Sequence, residues 1–493
     1  MNEENRKKFY ITTAIPYVND RPHVGHALEF VQADVLARAQ RAQGDEVLVL
    51  SGADENALKN VQAAEKAGVP VKDFIETNAK LFAELAARLN VHFDMFQRGS
   101  DTLHHYPASQ ELWRRCAAAG DIYKKSYEGL YCLGCEAFYA SEELTPDGEC
   151  REHPGKKLET VAEENYFFRL SRYRDQLVDL ISSDTIHIIP VSRKNEVLGF
   201  LRQSLEDISI SRSNERARNW GVPVPGDDTH RMYVWFDALN IYQSGIGFGW
   251  DEAMYQKWWP ADMHLIGKGI LRFHAVYWPA FLLSAQLLLP KSIVVHGYLT
   301  VDGQKMYKTI GNVIDPFVLI EKYGADPVRY YLLREIPSGE DGDFSYEKFE
   351  ARYNGDLANG LGNLVARVAA LGVRAGQFLK LEYDPQFLLA SDMAGIRLRY
   401  EKNIKNFCLN EALGNIWELI GRIDKWVNDQ KPWTHDVPVL KAFMETAAHG
   451  VQEISFMLDP FLPDTAKKIR EQISIRDNAI TIKKSANLFP RLK

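Results

Sequence analysis

Cysteine is scarce in this chain, with five in 493 residues, too few and too unevenly placed for a disulfide framework. No apolar run reaches the roughly 20 residues that span a bilayer. The most lipid-like stretch, residues 275–289, is interrupted by Pro279, Ser284 and Gln286 and reads as a buried helix, so no membrane partner is expected. Met1 to Lys8 is polar and charged and lacks the apolar core of a secretory signal, which makes the cytoplasm the expected location. A large excess of positive charge is also missing. The formal net charge of -7 confines any nucleic-acid contact to local patches. One such patch is the tail from Lys467 to Lys493, with eight basic residues against Glu471 and Asp477; a solvated helix face followed by a loose end is the competing reading. No repeat of 20 to 50 residues and no low-complexity tract is present, which excludes solenoids and propellers.

What is present is ordinary globular composition, 46% hydrophobic and 25% charged, in a chain too long for one core. Phe9 to Ile15 reads as a buried strand broken by Pro16, Asn19, Asp20 and Pro22. Val24, Leu28, Val31 and Val35 then recur at helical spacing up to Gly44, and Glu46 to Leu50 supplies a second strand. This βαβ unit is the building block of a parallel sheet. The pattern returns at Met263 to Ile266 and Ile293 to Tyr298, on either side of an apolar helix over 270–289. The sheet is therefore split by an insertion of about 120–215, which carries three cysteines and the aromatic run Tyr166-Phe167-Phe168. Beyond about Tyr353 strand signals fade, and Leu357, Leu361, Leu364, Val365 and Val368 form the stripe of an all-α domain.

Three constellations carry chemistry. Pro22-His23-Val24-Gly25-His26 opens a helix after a strand, where unpaired N–H groups, two imidazoles and a residue without a side chain suit the phosphates of a nucleotide. Lys305-Met306-Tyr307-Lys308-Thr309 follows a Val301-Asp302-Gly303 turn, and its two lysines suit a triphosphate undergoing attack at phosphorus. Cys132-x-x-Cys135 followed by Cys150-x-x-His153 has the spacing of a tetrahedral Cys3His zinc site. Cys116 and Cys408 stand apart in apolar-periodic stretches and read as inert core thiols.

The first two constellations, in this order and flanking a split α/β sheet, resemble the His-Ile-Gly-His and Lys-Met-Ser-Lys-Ser elements of class I aminoacyl-tRNA synthetases. Ala14-Ile15-Pro16-Tyr17-Val18-Asn19, Val234-Trp235-Phe236-Asp237-Ala238, Asn312-Val313-Ile314-Asp315-Pro316 and Ala325-Asp326-Pro327-Val328-Arg329-Tyr330 resemble segments of the methionyl branch. The likeness runs from about Phe9 through Trp433. It implies a Rossmann-like catalytic domain in two halves, 1–119 and 216–309, with a zinc-knuckle insertion over 120–215. A linking region over 310–352 and an anticodon-binding domain over 353–493 follow. It further implies ATP, L-methionine and tRNA(Met) as partners, Mg2+ with the ATP, one structural Zn2+ and a monomer. His23, His26, Lys305 and Lys308 would be catalytic and, with Gly25, would bind ATP. Ile15, Tyr17, Asp54, Trp235, Ala238, Tyr242 and His274 would form the methionine pocket, where a thioether packs against aromatic rings and a carboxylate pairs with the substrate ammonium. Asn363, Arg367 and Trp433 would read the CAU anticodon, with Asn363 and Arg367 at i and i+4 and Trp433 placed to stack on a base; simple packing is the alternative for Trp433.

The chain departs from the family pattern at Asp20, Asn56, Ala57, Gly269, Tyr307 and Thr309, while the principal charges remain. Two rivals are weighed against this reading. A synthetase for another apolar amino acid carries a long editing insertion for which the length leaves little room. A tRNA-binding protein without catalysis would lack pyrophosphate exchange.

Overall fold

The computed structural model describes residues 6–132, 137–139, 143–151, 158–306, 311–380, 390–476, 479–483 and 485–492. They form two compact units. The first comprises Met1–Pro22, Gln43–Ala86 and His92–His296, and the second comprises His23–Ala42, Ala87–Val91 and Gly297–Lys493.

The first unit is built on six parallel strands: β1 (Lys8–Thr13), β2 (Glu46–Ala53), β3 (Met95–Arg98), β4 (His187–Ile189), β5 (Met263–Gly267) and β6 (Ser292–His296). Their order in the sheet is β3-β2-β1-β5-β6-β4. Ile11 sits between Val49 on one side and Met263 on the other. Tyr10, Ile11, Val49, Leu50, Leu265, Ile266, Ile293 and Val294 are buried, as the near-continuous apolar runs of a doubly covered parallel sheet require. The strand order reverses between β1 and β5, and open α/β sheets bind ligands outside the strand ends at such a switch point.

All four expected strands occur, and β3 and β4 join them. Each is too short, at four and three residues, to display a period of its own. Because β4 lies within 120–215, that stretch returns a strand to the parallel sheet. It also builds an antiparallel sheet in the order Ala137–Tyr139, Ile122–Cys132, Glu159–Phe168 and Ile208–Ser209. The helix expected over 270–289 is shorter and irregular. A 3-10 turn at Lys268–Ile270 leads into a π turn at Phe273–Tyr277 and an α-helix at Trp278–Ser284, and Gln286 with φ of 55° leaves helical geometry.

In the second unit, helix α1 (Val24–Ala42) is held through a buried arginine. Arg329, on α2 (Ala325–Arg334), pairs with Asp34 at 2.7 Å and donates to the carbonyls of Leu89, Pro460 and Phe461. Removing either buried partner would leave an uncompensated charge. Further helices follow: α3 (Asn363–Ala375), α4 (Leu409–Gln430), α5 (Val437–Leu458) and α6 (Pro463–Gln472). Leu357, Leu361, Leu364, Val365 and Val368 are all buried, as their spacing predicts.

Helices alone do not complete this region. Phe378–Lys380, Ile473–Arg476 and Ala479–Ile482 form a three-stranded antiparallel sheet, for which Ile473, Ile475, Ile480 and Ile482 supply period-two alternation. The basic tail is therefore no loose end: Ile480, Ile482 and Phe489 are buried, and Leu492 bonds to Asn354. Cys408 also differs from expectation, because it occupies the half-buried N-cap position of α4 rather than a helix interior. Cys116 is fully buried, and burial pushes its thiol up to about 12. Among the described residues, no helix is long and apolar enough to cross a membrane.

Candidate active site

In the first unit the chain leaving β1 and the chain leaving β2 stay paired for one more step, through a parallel bridge between Tyr17 and Asp54. The Asp54 amide donates to the Pro16 carbonyl at 2.9 Å, so both side chains emerge at the C-terminal edge of the sheet. Trp235 enters from a short helix, Val234–Ala238, with Ala238 one turn further along and 4% exposed. Its indole meets Tyr17 edge-on at a centroid distance of 6.2 Å and stacks flat on Phe273 at 3.8 Å with an interplanar angle of 3°. His274 stands perpendicular to the indole at 6.2 Å. Ile15 is half-buried and packs against the same core.

The polar atoms of this cluster are tuned by burial. His274 lies in the π turn, and its Nδ1 is 2.9 Å from the Ile270 carbonyl, which can only accept; Nδ1 therefore carries the proton. Nε2 then accepts from the Tyr242 hydroxyl at 2.8 Å. Desolvation lowers His274 to about 4, so the ring is neutral throughout the physiological range. The same cause holds His264 well below the ordinary histidine value; its Nδ1 is 2.7 Å from Thr12 Oγ1 across the β1–β5 register. The result is a buried aromatic cluster with neutral imidazoles and the carboxylic side chain of Asp54. That composition accepts an apolar, polarizable side chain beside an ammonium group.

The sequence reading did not include Phe273, His264 or Lys59, whose ammonium lies 3.1 Å over the Tyr17 ring. A histidine inside an apolar strand was the available signal for His264; ring-on-ring stacking leaves none. The departures at Asn56 and Ala57 are accommodated. Asn56 donates to Asp237 at 2.7 Å and to the Gly99 carbonyl at 2.8 Å, and it accepts from Tyr106 at 3.2 Å, while Ala57 is fully buried. The acidic pair divides its work, since Glu55 is engaged by Arg98 and Ser100. Gly269 lines a cavity of about 610 Å³ together with Lys268, Arg272, Phe273, Cys150 and Phe200.

The second unit holds both phosphate-binding candidates. His23 precedes α1, and its Nδ1 accepts from the Gly25 amide at 3.1 Å, while His26 Nδ1 accepts from the His23 amide at 3.1 Å. This is a capping box made of two imidazoles in place of Ser and Glu. Because each Nδ1 is an acceptor, each ring carries its proton on Nε2. The rings stack at 4.0 Å and 30°, and burial lowers His23 to about 4. The expectation of open helix amides changes accordingly: the Val24 amide is bonded to the Ile314 carbonyl at 3.1 Å, the Gly25 amide to His23, and the paired imidazoles present the donors.

Leu299–Val301 and Gln304–Lys305 form the hairpin leading to the second motif, with Asp302 and Gly303 both at positive φ, as a two-residue hairpin turn requires. Met306 Cε lies 3.9 Å from where a Cβ on Gly25 would stand, which brings the end of this hairpin beside the imidazole box. The Lys305 side chain, Tyr307, Lys308 and Thr309 lie outside the described residues.

On α3, Asn363 is exposed, and Arg367 is engaged by Asp424 and by Asn428 at 2.7 Å. Trp433 is 48% exposed. Of the expected zinc ligands, Cys132 ends its strand and Cys150 follows a turn closed by the Gly148 amide on the Thr145 carbonyl. Both thiols are buried, at 3% and 1% exposure. Cys135 and His153 lie outside the described residues, and among the described residues no group of three or more His, Cys, Asp or Glu gathers as a metal site.

A family model described as "tRNA synthetases class I (M)" matches residues 9–369. A methionine–tRNA ligase of Brucella suis is 41% identical over 486 residues, covering 96% of this chain and 92% of that protein. One of Thermotoga maritima is 40% identical over 487 residues, covering 95% and 76%. A Mycobacterium tuberculosis methionyl-tRNA synthetase solved with methionyl-adenylate superposes with a TM-score of 0.93 at 38% identity, covering 98% of this chain and all of the other.

Proposed function

The chain belongs to the methionyl branch of the class I tRNA synthetases, and on that premise we propose which of its residues carry each step of methionine–tRNA ligation. The enzyme first joins methionine to ATP. A carboxylate oxygen attacks the α-phosphorus, the bond to the β-phosphate breaks, and pyrophosphate leaves methionyl-adenylate behind. The terminal ribose 2′-hydroxyl of the tRNA then attacks the activated carbonyl and AMP departs. The observation that carries this function is the nearly full-length likeness to a synthetase solved with that adenylate. Methionine-dependent ATP–pyrophosphate exchange together with charging of tRNA(Met) tests it; exchange driven by another amino acid, or none at all, overturns it.

In this reading Tyr17, Trp235, Ala238, Tyr242, His274 and Ile15 enclose the thioether side chain, and Asp54 pairs with the ammonium. Support comes from the stacked indole and from His274, whose ring is neutral and so adds no positive charge beside the substrate ammonium. His23 and His26 donate from Nε2 to phosphate oxygens, and Lys305 and Lys308 offset charge on the departing pyrophosphate. Mg2+ bound with ATP supplies further neutralisation of the triphosphate. Asn363, Arg367 and Trp433 contact the anticodon, residues 353–493 serving as the domain that carries them. A cytoplasmic home is in keeping with the sparse, unevenly placed cysteines.

A structural zinc on Cys132, Cys135, Cys150 and His153 belongs to the same reading. Its support is the donor chemistry and the burial of the two described thiols, which a hydrated surface pair would not share. Metal analysis is expected to return about one zinc per chain, and chelation is expected to destabilise the insertion. Zinc-free protein whose stability is untouched by Cys132→Ser would dismiss the site.

A further inference from the structure

We propose that Arg374 is a positioning residue for Trp433, fixing the turn that presents the indole to the tRNA; the inference rests on Trp433 being an anticodon contact. Arg374 lies in the last turn of α3. Its Nη1 donates to the Trp433 carbonyl at 3.0 Å and its Nη2 to the His435 carbonyl at 2.6 Å. One planar fork thus grips two carbonyls two residues apart, a geometry that a lysine ammonium does not reproduce.

The turn it grips begins at a residue in unfavourable backbone geometry. Helix α4 ends at Gln430, and its C-cap, Lys431, adopts left-handed geometry with φ of 52° and ψ of 50°, an unfavourable state for a residue with a side chain. Pro432 then begins a 3-10 turn, Pro432–Thr434, closed by Thr434 bonding to the Lys431 carbonyl through its amide at 2.9 Å and its hydroxyl at 2.8 Å. Those bonds are internal to the turn. Arg374 attaches the turn to another helix.

That helix is the one carrying the other two candidate readers. Arg374 follows Asn363 by eleven residues, about 20° beyond three full turns, and Arg367 by seven, about 20° short of two turns. Asn363, Arg367 and Arg374 therefore share one face of α3. Arg367 spends its guanidinium on Asp424 and Asn428 of α4, and Arg374 spends its own on the turn that follows α4. The register of one helix thus sets the place of all three readers, although Trp433 is 70 residues from Asn363 in the chain.

The test uses the full chain and compares charging of tRNA(Met), charging of the same tRNA with its CAU anticodon replaced, and ATP–pyrophosphate exchange as the control. Arg374→Ala is expected to lower kcat/KM for tRNA(Met) about five- to thirtyfold, the range of two lost hydrogen bonds, mainly through KM and with exchange and thermal unfolding unchanged. Arg374→Lys should recover little of the loss. Trp433→Ala should reduce charging, and the double variant should charge no worse than Trp433→Ala alone, since Arg374 acts only through that turn. The Arg374→Ala loss should also disappear with the replaced anticodon. Losses that multiply in the double variant, or an exchange rate that falls with charging, would overturn the inference while leaving Trp433 as a reader. Undiminished charging by Trp433→Ala would overturn both, and that result alone identifies the anticodon reading as the part that failed.

Discussion

Lys305→Ala and Lys308→Ala are each expected to slow methionyl-adenylate formation by about 10²- to 10³-fold, the scale seen when one preorganised donor to developing charge is removed. Methionine affinity should change little, because the residues proposed to hold it, Tyr17, Trp235, Tyr242 and His274, belong to the first compact unit, whereas residues 297–493 lie in the second. The lysines' charge matters most as the α–β phosphate bond breaks, so the loss belongs to kcat rather than to ground-state binding. The local fold supports an action at that bond. The Asp302-Gly303 hairpin ends beside Gly25, which lies between the two imidazoles that carry Nε2–H donors. Asp343 stabilises the hairpin by accepting from the Gly303 amide and the Thr300 hydroxyl, both at 2.7 Å, so substitution at Lys305 should leave its base in place. Rapid-quench measurement of adenylate formation, with methionine binding followed separately, decides the matter. Parent-like rates in both variants would remove the lysines from the chemistry, and a methionine affinity that collapses in parallel would mean that the substitutions disturb the pocket instead.

The sequence made the βαβ unit and its return after the insertion legible because β1, β2, β5 and β6 are apolar enough, and α1 long enough, to carry their own periods. The same rule failed for β3 and β4, which owe their place to neighbours: β3 to its ladder with β2, β4 to its ladder with β6. Candidate site residues could be named where the family resemblance fixed their positions. Their geometry was less so. Nothing in Pro22-His23-Val24-Gly25-His26 announces that the imidazoles cap their own helix, since Ser, Thr, Asp and Asn are the usual caps. Nor does Phe273 advertise its stack on Trp235, 38 residues earlier in the chain, which follows from a π turn that periodicity could not reveal.

Gly25→Ala separates activity from stability at the imidazole box. A Cβ at this position would lie 2.9 Å from His23 Cε1 and 3.0 Å from His23 Nδ1, closer than a carbon can approach, so the ring must swing away. The His23 acceptor bond to the residue 25 amide is then lost, and with it the stacking on His26 that orients both Nε2–H donors. Yet the backbone itself favours the substitution: Gly25 lies in the first turn of α1, where alanine is preferred over glycine by up to about 1 kcal/mol. Thermal stability should therefore stay level or rise slightly, offset by the lost cap, while kcat/KM for ATP in pyrophosphate exchange falls about 10- to 100-fold, the cost of a misplaced hydrogen bond to a charged acceptor. Protonation does not complicate the comparison, because burial holds His23 near 4 and the ring stays neutral across any usable assay range. His23→Ala should lose a similar amount, and combining the two substitutions should add little, since both remove the same donor. Activity that survives Gly25→Ala would show that His23 does not touch the nucleotide. A marked drop in unfolding temperature would instead assign Gly25 to the packing of α1, and the imidazole box would be a helix cap and nothing more.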